Sequence, residues 1–335
     1  MSWLVQPRLV NEPFGDPGVY IDFRFGRRAL LFDLGDLGPL SAREVLRVSH
    51  AFVSHAHVDH FAGFDRLLRF CLHRPESLHL VGPPGFIERV EHKLHGYTWN
   101  LLGADSVDFR IRVEEFHGDR IERAASFRAR EAFRRVDLPS DRLPPGIALE
   151  DEGFRITAAT LDHGTPSLAF ALRETLRVNV LRGALAGLGL PVGRWLNDVK
   201  RAVRVGAPDD MPIAVPGSAP IALGDLKRNA LRIAPGQTVA YVTDTAFHPA
   251  NVARIVELAR DADQLFIETP FLEEDAALAA GKRHLTAAQA GRLGRQAGAR
   301  RLIPFHFSAR YGERSDVLAR EAALAFAGAA EDGRG

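Results

Sequence analysis

The chain has 335 residues, of which 46% are hydrophobic and 25% charged, as in an ordinary folded globular protein. Its net charge of +1 excludes binding to nucleic acid through the field of the whole molecule, so such a partner would need local basic patches. The single cysteine, Cys71, excludes an intramolecular disulfide and a zinc site built from several thiolates, and no apolar run approaches the ~20 residues that span a bilayer.

Short apolar segments with strand patterns alternate with helix patterns along the chain. In the first half, the predicted strands are residues 19–25, 29–35, 51–55, 78–82, 108–113, 154–160 and 168–172. In the second half, predicted strands at 238–243, 264–268 and 301–305 alternate with predicted helices at 251–260, 286–298 and 315–328. Strands that recur between helices predict an α/β protein whose sheets are covered by helices.

The stretch 173–215 differs from the rest and is interpreted as an inserted arm, because it mixes Gly, Pro and basic residues. Its cations are Arg173, Arg177, Arg182, Arg194, Lys200, Arg201 and Arg204. They form either a positive face that follows phosphates or the solvated side of an amphipathic helix that buries Trp195, Leu196 and Val199. A second basic run, 120–135, is interpreted as the charged surface of a helix.

Four potential metal ligands follow the apolar run of residues 51–53. His55 and His57 lie two positions apart, whereas Asp59 and His60 are adjacent. A loop that leaves a strand here can direct the first pair at one metal ion and the second pair at another. Imidazole suits zinc, and a carboxylate neutralises part of its charge. The stretch therefore predicts a metal site.

This stretch resembles the His-x-His-x-Asp-His signature of the metallo-β-lactamase fold, and three later motifs resemble those of its ribonuclease Z branch. The segment LDHGTPS resembles the motif that supplies a third histidine, here His163. The segment VTDTAF resembles Gly-Asp-Thr and places Asp244, and LIPFHFSARY resembles the last motif and places His306. Each of these residues follows an apolar segment with a strand pattern, so the ligands are expected to converge at one rim of a sheet.

The resemblance implies a four-layer αβ/βα sandwich in which residues 1–335 form one domain. It implies two zinc ions, with manganese or iron as alternatives, and a metal-bound hydroxide that attacks a phosphodiester. The first ion would be held by His55, His57, His163 and Asp244, and the second by Asp59, His60, Asp244 and His306. Asp59 would also accept a proton.

The resemblance extends to residues that would protonate the leaving group and bind the substrate. Glu268 in QLFIETPF and His284 in KRHLTAAQ match the family's acid pair, in which the carboxylate supports the imidazolium. An alternative is that His284 only begins a helix and Glu268 is solvated. Substrate contacts would come from Ser308, Arg310, Arg194 and Lys200. The family also implies a precursor tRNA substrate and a homodimer. A cytoplasmic location is the default expectation, because the N-terminus has no sustained apolar core and no later run is long enough to span a bilayer.

Several positions depart from the ribonuclease Z pattern. Val58, Thr243 and Phe305 replace a glycine, a glycine and a threonine, and the arm lacks the family's Gly-Pro motif. The N-terminal motifs are replaced as well, although Asp33 and Gly35 are shared. Two other functions therefore stay open. One is hydrolysis of a small lactone, thioester or cyclic nucleotide on the same fold, and the other is nucleic-acid binding without catalysis.

Overall fold

The computed structural model describes residues 3–24, 26–140 and 143–328. In chain order its strands are β1 (Val5–Leu9), β2 (Val19–Phe23), β3 (Ala29–Phe32), β4 (Val48–Phe52), β5 (Leu78–Gly82), β6 (Arg110–His117), β7 (Arg120–Arg128), β8 (Arg135–Leu138), β9 (Ile147–Asp151), β10 (Phe154–Asp162), β11 (Pro166–Glu174), β12 (Leu176–Val180), β13 (Pro212–Ile213), β14 (Ile221–Ala222), β15 (Leu231–Pro235), β16 (Thr238–Val242), β17 (Gln264–Glu268) and β18 (Leu302–Phe305).

The α-helices are α1 (Ala42–Val45), α2 (Val58–Phe61), α3 (Phe64–Cys71), α4 (Phe86–His95), α5 (Arg182–Gly187), α6 (Trp195–Arg204), α7 (Leu223–Asn229), α8 (Pro249–Leu258), α9 (Ala276–Lys282), α10 (Ala287–Gln296) and α11 (Ser315–Ala327). Short 3-10 helices cover Ala129–Glu131, Glu273–Asp275 and Ala309–Arg314. Within the described residues, none of these helices is both long enough and apolar enough to cross a bilayer.

Two large sheets organise the molecule. The first has eight strands in the order β1 to β8, and β3 to β6 run parallel to one another. The second has six strands in the order β18, β17, β16, β11, β10 and β9. Within it β16, β17 and β18 are parallel, whereas β11 runs antiparallel to β16. Parallel neighbours bring the ends of successive strands to one edge of each sheet, where side chains can be collected into a site.

The main core lies between the two sheets. Phe32 and Phe52 of the first sheet pack against Phe170 of the second, with ring centres 5.5 and 5.6 Å from the Phe170 ring. On the outer faces, α3 and α4 bury Phe64 and Leu94 against the first sheet, and α8 and α10 belong to an apolar cluster with the second. The order helix, sheet, sheet, helix confirms the predicted four-layer α/β sandwich.

Residues 176–235, which we call the insertion, form a small unit between β11 and β16. It has two strand pairs, β12 with β15 and β13 with β14, and an apolar cluster of its own. Helix α6 buries Trp195, Leu196 and Val199 in this cluster, so the predicted amphipathic helix is confirmed. The predicted arm, 173–215, overlaps the insertion, but Arg173 is still part of β11, and β15 adds residues beyond 215.

The interpretation of residues 120–135 as a helix was wrong, because most of this run forms strand β7. Several of its arginines pair with acidic side chains of neighbouring elements. Arg123 pairs with Glu88 at 2.8 Å and with Glu115 at 3.1 Å, and Arg128 pairs with Asp108 at 3.0 Å. These pairs leave little net positive charge on this face for a nucleic acid.

Candidate metal centre

The seven predicted ligands follow the ends of strands in both sheets. The first sheet supplies His55 and His57 in the loop after β4, and Asp59 and His60 in α2. The second sheet supplies His163 after β10, Asp244 after β16 and His306 after β18. A hydrogen bond of 2.9 Å from the Leu168 amide to the Ser54 carbonyl joins the sheets here. We call this edge, marked by His55, His163 and Asp244, the metal end.

The structure brings these side chains into two adjoining groups. Ligand atoms of His55, His57, His163 and Asp244 all lie within 4.8 Å of one another, and so do those of Asp59, His60 and His306. In the second group, Asp59 Oδ2 is 3.5 Å from His60 Nε2 and 3.4 Å from His306 Nε2.

The Asp244 carboxylate lies between the two groups. Its Oδ2 is 3.6 Å from His55 Nε2 and 3.4 Å from His163 Nε2. Its Oδ1 is 3.5 Å from His60 Nε2 and 3.0 Å from His306 Nδ1. Each oxygen therefore faces a different group, an arrangement that would allow this carboxylate to bridge two ions.

Two buried nitrogen atoms of the site fit a metal ion. His55 Nε2 and His60 Nε2 are buried and have no hydrogen-bond partner among the described residues. An unpaired buried polar atom costs about 1–3 kcal/mol, and coordination to a cation would remove that cost. A mixed set of imidazole and carboxylate donors suits zinc, manganese or iron. The residues present thus fit divalent metal ions.

Other side chains hold the ligands in place. The buried Asp33 accepts hydrogen bonds from the Ser54 amide at 2.6 Å and the Tyr241 hydroxyl at 2.7 Å, and its Oδ2 is 2.8 Å from His60 Nδ1. His163 Nδ1 is 2.9 Å from the Arg283 carbonyl oxygen. Such contacts fix the ring and leave the opposite nitrogen available for a metal.

From the sequence, Asp33 was identified only as a position shared with the family, and its contact with His60 was not predicted. A single aspartate after an apolar segment has no spacing pattern that would reveal it as a partner of His60. The one available signal was its position at the end of a predicted strand, like that of the ligands themselves.

The backbone at the metal end is strained at three positions that carry site side chains. Asp33, Asp244 and His306 have φ values of 58°, 35° and 61°, in the region that residues other than glycine rarely adopt. Asp33 and His306 directly follow β3 and β18, and Asp244 lies two residues after the end of β16, so each marks a sharp turn of the chain at the sheet edge. Strain of this kind persists where the surrounding structure enforces it, as it often does at functional sites.

Burial and charge shift the pKa values of the site groups in different directions. Burial, together with nearby His60, lowers the pKa of His55 to about 3, so its ring is neutral and able to bind a metal. Burial also lowers the pKa of His57. Burial opposes the charged form of His60 as well, but the carboxylates of Asp244 and Asp33 outweigh it and raise its pKa to about 10.

Glu268 and His284 form a hydrogen-bonded pair beside the ligands. His284 Nδ1 is 2.7 Å from Glu268 Oε2, and Glu268 Oε1 accepts from the amides of Thr245 and Leu285. Burial favours the neutral carboxyl, but the His284 charge outweighs it and lowers the pKa of Glu268 to about 2. Glu268 is fully buried, so the alternative of a solvated glutamate does not hold.

The four predicted substrate contacts lie in two places. Ser308 and Arg310 follow His306 directly, and the Arg310 amide donates to Ser308 Oγ at 3.4 Å. Arg194 is the residue directly before α6 of the insertion, and Lys200 lies within that helix. Helix α6 contacts the turn before β10, since Arg201 pairs with Glu152 at 2.6 Å, and His163 follows the other end of that strand. The structure therefore does not bring Arg194 and Lys200 to the metal end of their own chain.

Comparison with known proteins agrees with this architecture. The sequence model of the beta-lactamase superfamily domain matches residues 209–307. Among solved structures, the metallo-beta-lactamase fold protein YhfI from Bacillus subtilis has a TM-score of 0.52 at 17% identity and covers 93% of this chain and 86% of its own. The short form of human tRNase Z has a TM-score of 0.51 at 17% identity and covers 91% of both chains.

The sequence relatives are more similar. Ribonuclease Z of Deinococcus radiodurans is 33% identical over 316 residues, which is 92% of each chain. Ribonuclease Z of Thermobifida fusca is 34% identical and covers 78% of this chain and 74% of its own. Identity of this extent over nearly the whole length, on the same fold, shows that this chain belongs to the ribonuclease Z family.

Proposed function

We propose that this chain is a metal-dependent phosphodiesterase that cleaves RNA, with the 3′ end of precursor tRNA as its substrate. The observation that carries the proposal is the placement of Asp244 between two ligand groups, each of its oxygens facing one of them. The name ribonuclease Z, borne by relatives that cover most of this chain, supports RNA over a small lactone or thioester.

The proposed cofactors are two divalent ions, zinc by preference and manganese or iron as alternatives. Such ions lower the pKa of a bound water and neutralise charge on the phosphodiester. His55, His57 and His163 would hold one ion, and Asp59, His60 and His306 the other, with Asp244 shared. The side chain of Asp59 is 37% exposed, which leaves it accessible as a proton acceptor.

The proposed acid is His284. Burial disfavours its charged form, but Glu268 outweighs that effect and raises the pKa of the imidazole, so it can carry a proton near neutral pH. A ribose 3′ oxygen is a poor leaving group and needs this proton as the bond to phosphorus breaks. The imidazolium is then regenerated from solvent, because the side chain of His284 is 17% exposed.

We propose one domain for residues 1–335, with the insertion as its arm, because both large sheets share one core. A homodimer is proposed with it. Arg194 and Lys200 lie away from the metal end of their own chain. They would therefore contact the RNA at a distance from its cleavage site, or contact an RNA that is bound at the metal end of a second subunit.

The direct test is cleavage of a precursor tRNA and of bis(p-nitrophenyl) phosphate by the metal-loaded protein. We expect both activities in the native chain and neither in His57→Ala or Asp244→Ala. His73→Gln, which changes an exposed histidine in the turn after α3, serves as the control. A metal-loaded native protein that cleaves neither substrate would refute the proposal.

A further inference from the structure

A cavity of about 580 Å³, apart from the metal end, lies between the insertion and the start of the first, eight-stranded sheet. Six cationic side chains line it: Arg24, Arg177, Arg182, Lys200, Arg204 and Arg232. Among the described residues of its wall, Glu174 is the one carboxylate. Its volume falls within the ~300–1,000 Å³ that is usual for small-molecule sites.

This cavity lies at the end of the sheets opposite the metal end. Strands β10 and β11 each have nine residues, so each is roughly 27 Å long. Asp162 pairs with Pro166 next to His163, whereas Phe154 pairs with Glu174 at the other end. Because Glu174 lines the cavity, the cavity and the metal centre are separate sites.

Arg177 provides an unpartnered donor in the wall of this cavity. Its side chain is only 9% exposed, and its Nε has no hydrogen-bond partner among the described residues. The guanidinium carbon is 3.7 Å from the centre of the Trp3 ring, which holds the group in place. A buried cation with an unused donor is costly unless an anion reaches it.

The positive charge of the wall is largely uncompensated. Arg204 Nη2 is 3.7 Å from Glu174 Oε1, the carboxylate of the wall. Within the described part of the chain, Arg24, Arg182 and Arg232 have no carboxylate within 4.0 Å. A monovalent anion would leave most of this charge unbalanced, and guanidinium groups match the oxygens of phosphate in pairs.

Apolar residues form another part of the wall, where Leu4, Leu181, Val192 and Leu196 line the cavity. We propose that this cavity binds a nucleoside diphosphate or triphosphate, with the phosphates among the arginines and the organic body against the apolar side. Because Arg177 is only 9% exposed, a ligand must enter the cavity to reach it, which favours a small phosphate compound over the backbone of a folded RNA. Since Arg24 belongs to the N-terminal sheet and the other five cations to the insertion, the ligand also ties the two parts together.

The test is calorimetric titration of the metal-loaded full chain with ADP, pyrophosphate and adenosine. ADP and pyrophosphate should bind, and adenosine should not. Arg232→Glu and Arg182→Glu, both at exposed positions, should each weaken ADP binding by at least about tenfold, because each replaces an attraction by a repulsion. The matched control is Arg301→Glu, an exposed charge reversal outside the cavity, which should change the affinity less than about twofold.

Hydrolysis of bis(p-nitrophenyl) phosphate should stay unchanged in Arg232→Glu, which separates this cavity from the metal centre. His57→Ala should keep the ADP affinity of the native chain. Equal ADP affinity in the native chain, Arg232→Glu and Arg182→Glu would overturn the proposal. The proposal would also be overturned if the two cavity variants lost affinity for RNA but kept their affinity for ADP, because the surface would then be an RNA contact.

Discussion

The buried carboxylate of Asp33 shows how single residues determine the geometry of the metal centre. It does not belong to either ligand group, yet it contacts His60 Nδ1 and accepts from Ser54 and Tyr241. Its position fixes the His60 ring so that Nε2 faces Asp244. Removing this contact should weaken metal binding while the ligand set stays complete.

We therefore expect Asp33→Asn to lower metal affinity by about 10–100-fold, because the amide can no longer support His60 as a carboxylate does. A competition assay with a chelating dye measures this affinity. Asp105→Asn changes an exposed aspartate in the same way and should bind metal like the native chain. Native affinity in Asp33→Asn would show that His60 is oriented without Asp33.

The role of His284 is tested by the leaving group. His284→Gln should lower kcat on precursor tRNA by about 10²–10⁴-fold, because the ribose oxygen needs a proton. It should affect bis(p-nitrophenyl) phosphate much less, because p-nitrophenolate leaves without one. Glu268→Gln should also lower kcat on precursor tRNA more than on bis(p-nitrophenyl) phosphate, but by a smaller factor than His284→Gln. Equal losses on both substrates would assign His284 to metal or substrate binding instead.

At this scale, close spacing indicated the four candidate ligands at 55–60, and motif resemblance placed His163, Asp244 and His306, whereas the role of Asp33 was missed. The four ligands at 55–60 are closely spaced after a strand, and the structure places them in the two groups of the site. The roles of Asp33 and Tyr241 depend on a contact across more than 200 positions, so no local spacing could reveal them.

Between elements, close packing holds the ligand-bearing segment against the first sheet. The Leu34 amide donates to the His60 carbonyl at 2.9 Å, and the Gly63 amide donates to the Leu34 carbonyl at 2.8 Å. A Cβ atom at Gly63 would lie 2.1 Å from the Gly35 carbonyl oxygen. The junction of α2 and α3 therefore has no room for a side chain.

Gly63→Ala should destabilise the fold by about 1–3 kcal/mol, because α2 and the loop after β3 must move apart. Thermal unfolding followed by circular dichroism measures the change. Gly281→Ala is the control, since a Cβ atom there meets nothing within 4 Å and alanine favours the helix. If both variants unfold at the native temperature, the junction is looser than the contacts indicate.

The elements that were predicted well are those whose pattern is local. Predicted helices 251–260, 286–298 and 315–328 correspond to α8, α10 and α11. Strand β7 was misassigned because its arginines resemble a charged helix face, and only pairing with β6 and β8 stabilises it as a strand. The extent of the insertion was missed because β15 pairs with β12 about 50 positions earlier.

Across the whole molecule, the metal centre joins the two sheets. The first sheet contributes His55, His57, Asp59 and His60, and the second contributes His163, Asp244 and His306. Bound ions should therefore stabilise the packing of one sheet on the other, because ions that bind the folded state alone shift the folding equilibrium.

Removing metal with a chelator should lower the Tm, and adding zinc should restore it. At metal concentrations ~1,000-fold above Kd the stabilisation per ion is about 4 kcal/mol. Asp244→Asn should show a smaller metal-dependent rise in Tm than the native chain, because it lacks the carboxylate that the two ligand groups share. If neither the chelator nor added zinc changes the Tm of the native chain, the proposed metal centre does not link the two sheets.

In the proposed metal centre, seven side chains from both sheets hold two metal ions that share Asp244. The most direct test of this proposal is the metal content of the zinc-loaded, desalted protein, measured by inductively coupled plasma mass spectrometry. We expect about two ions per chain in the native protein and in His73→Gln, and about one or fewer in Asp244→Ala. A native content well below one ion, or two ions retained in Asp244→Ala, would contradict it.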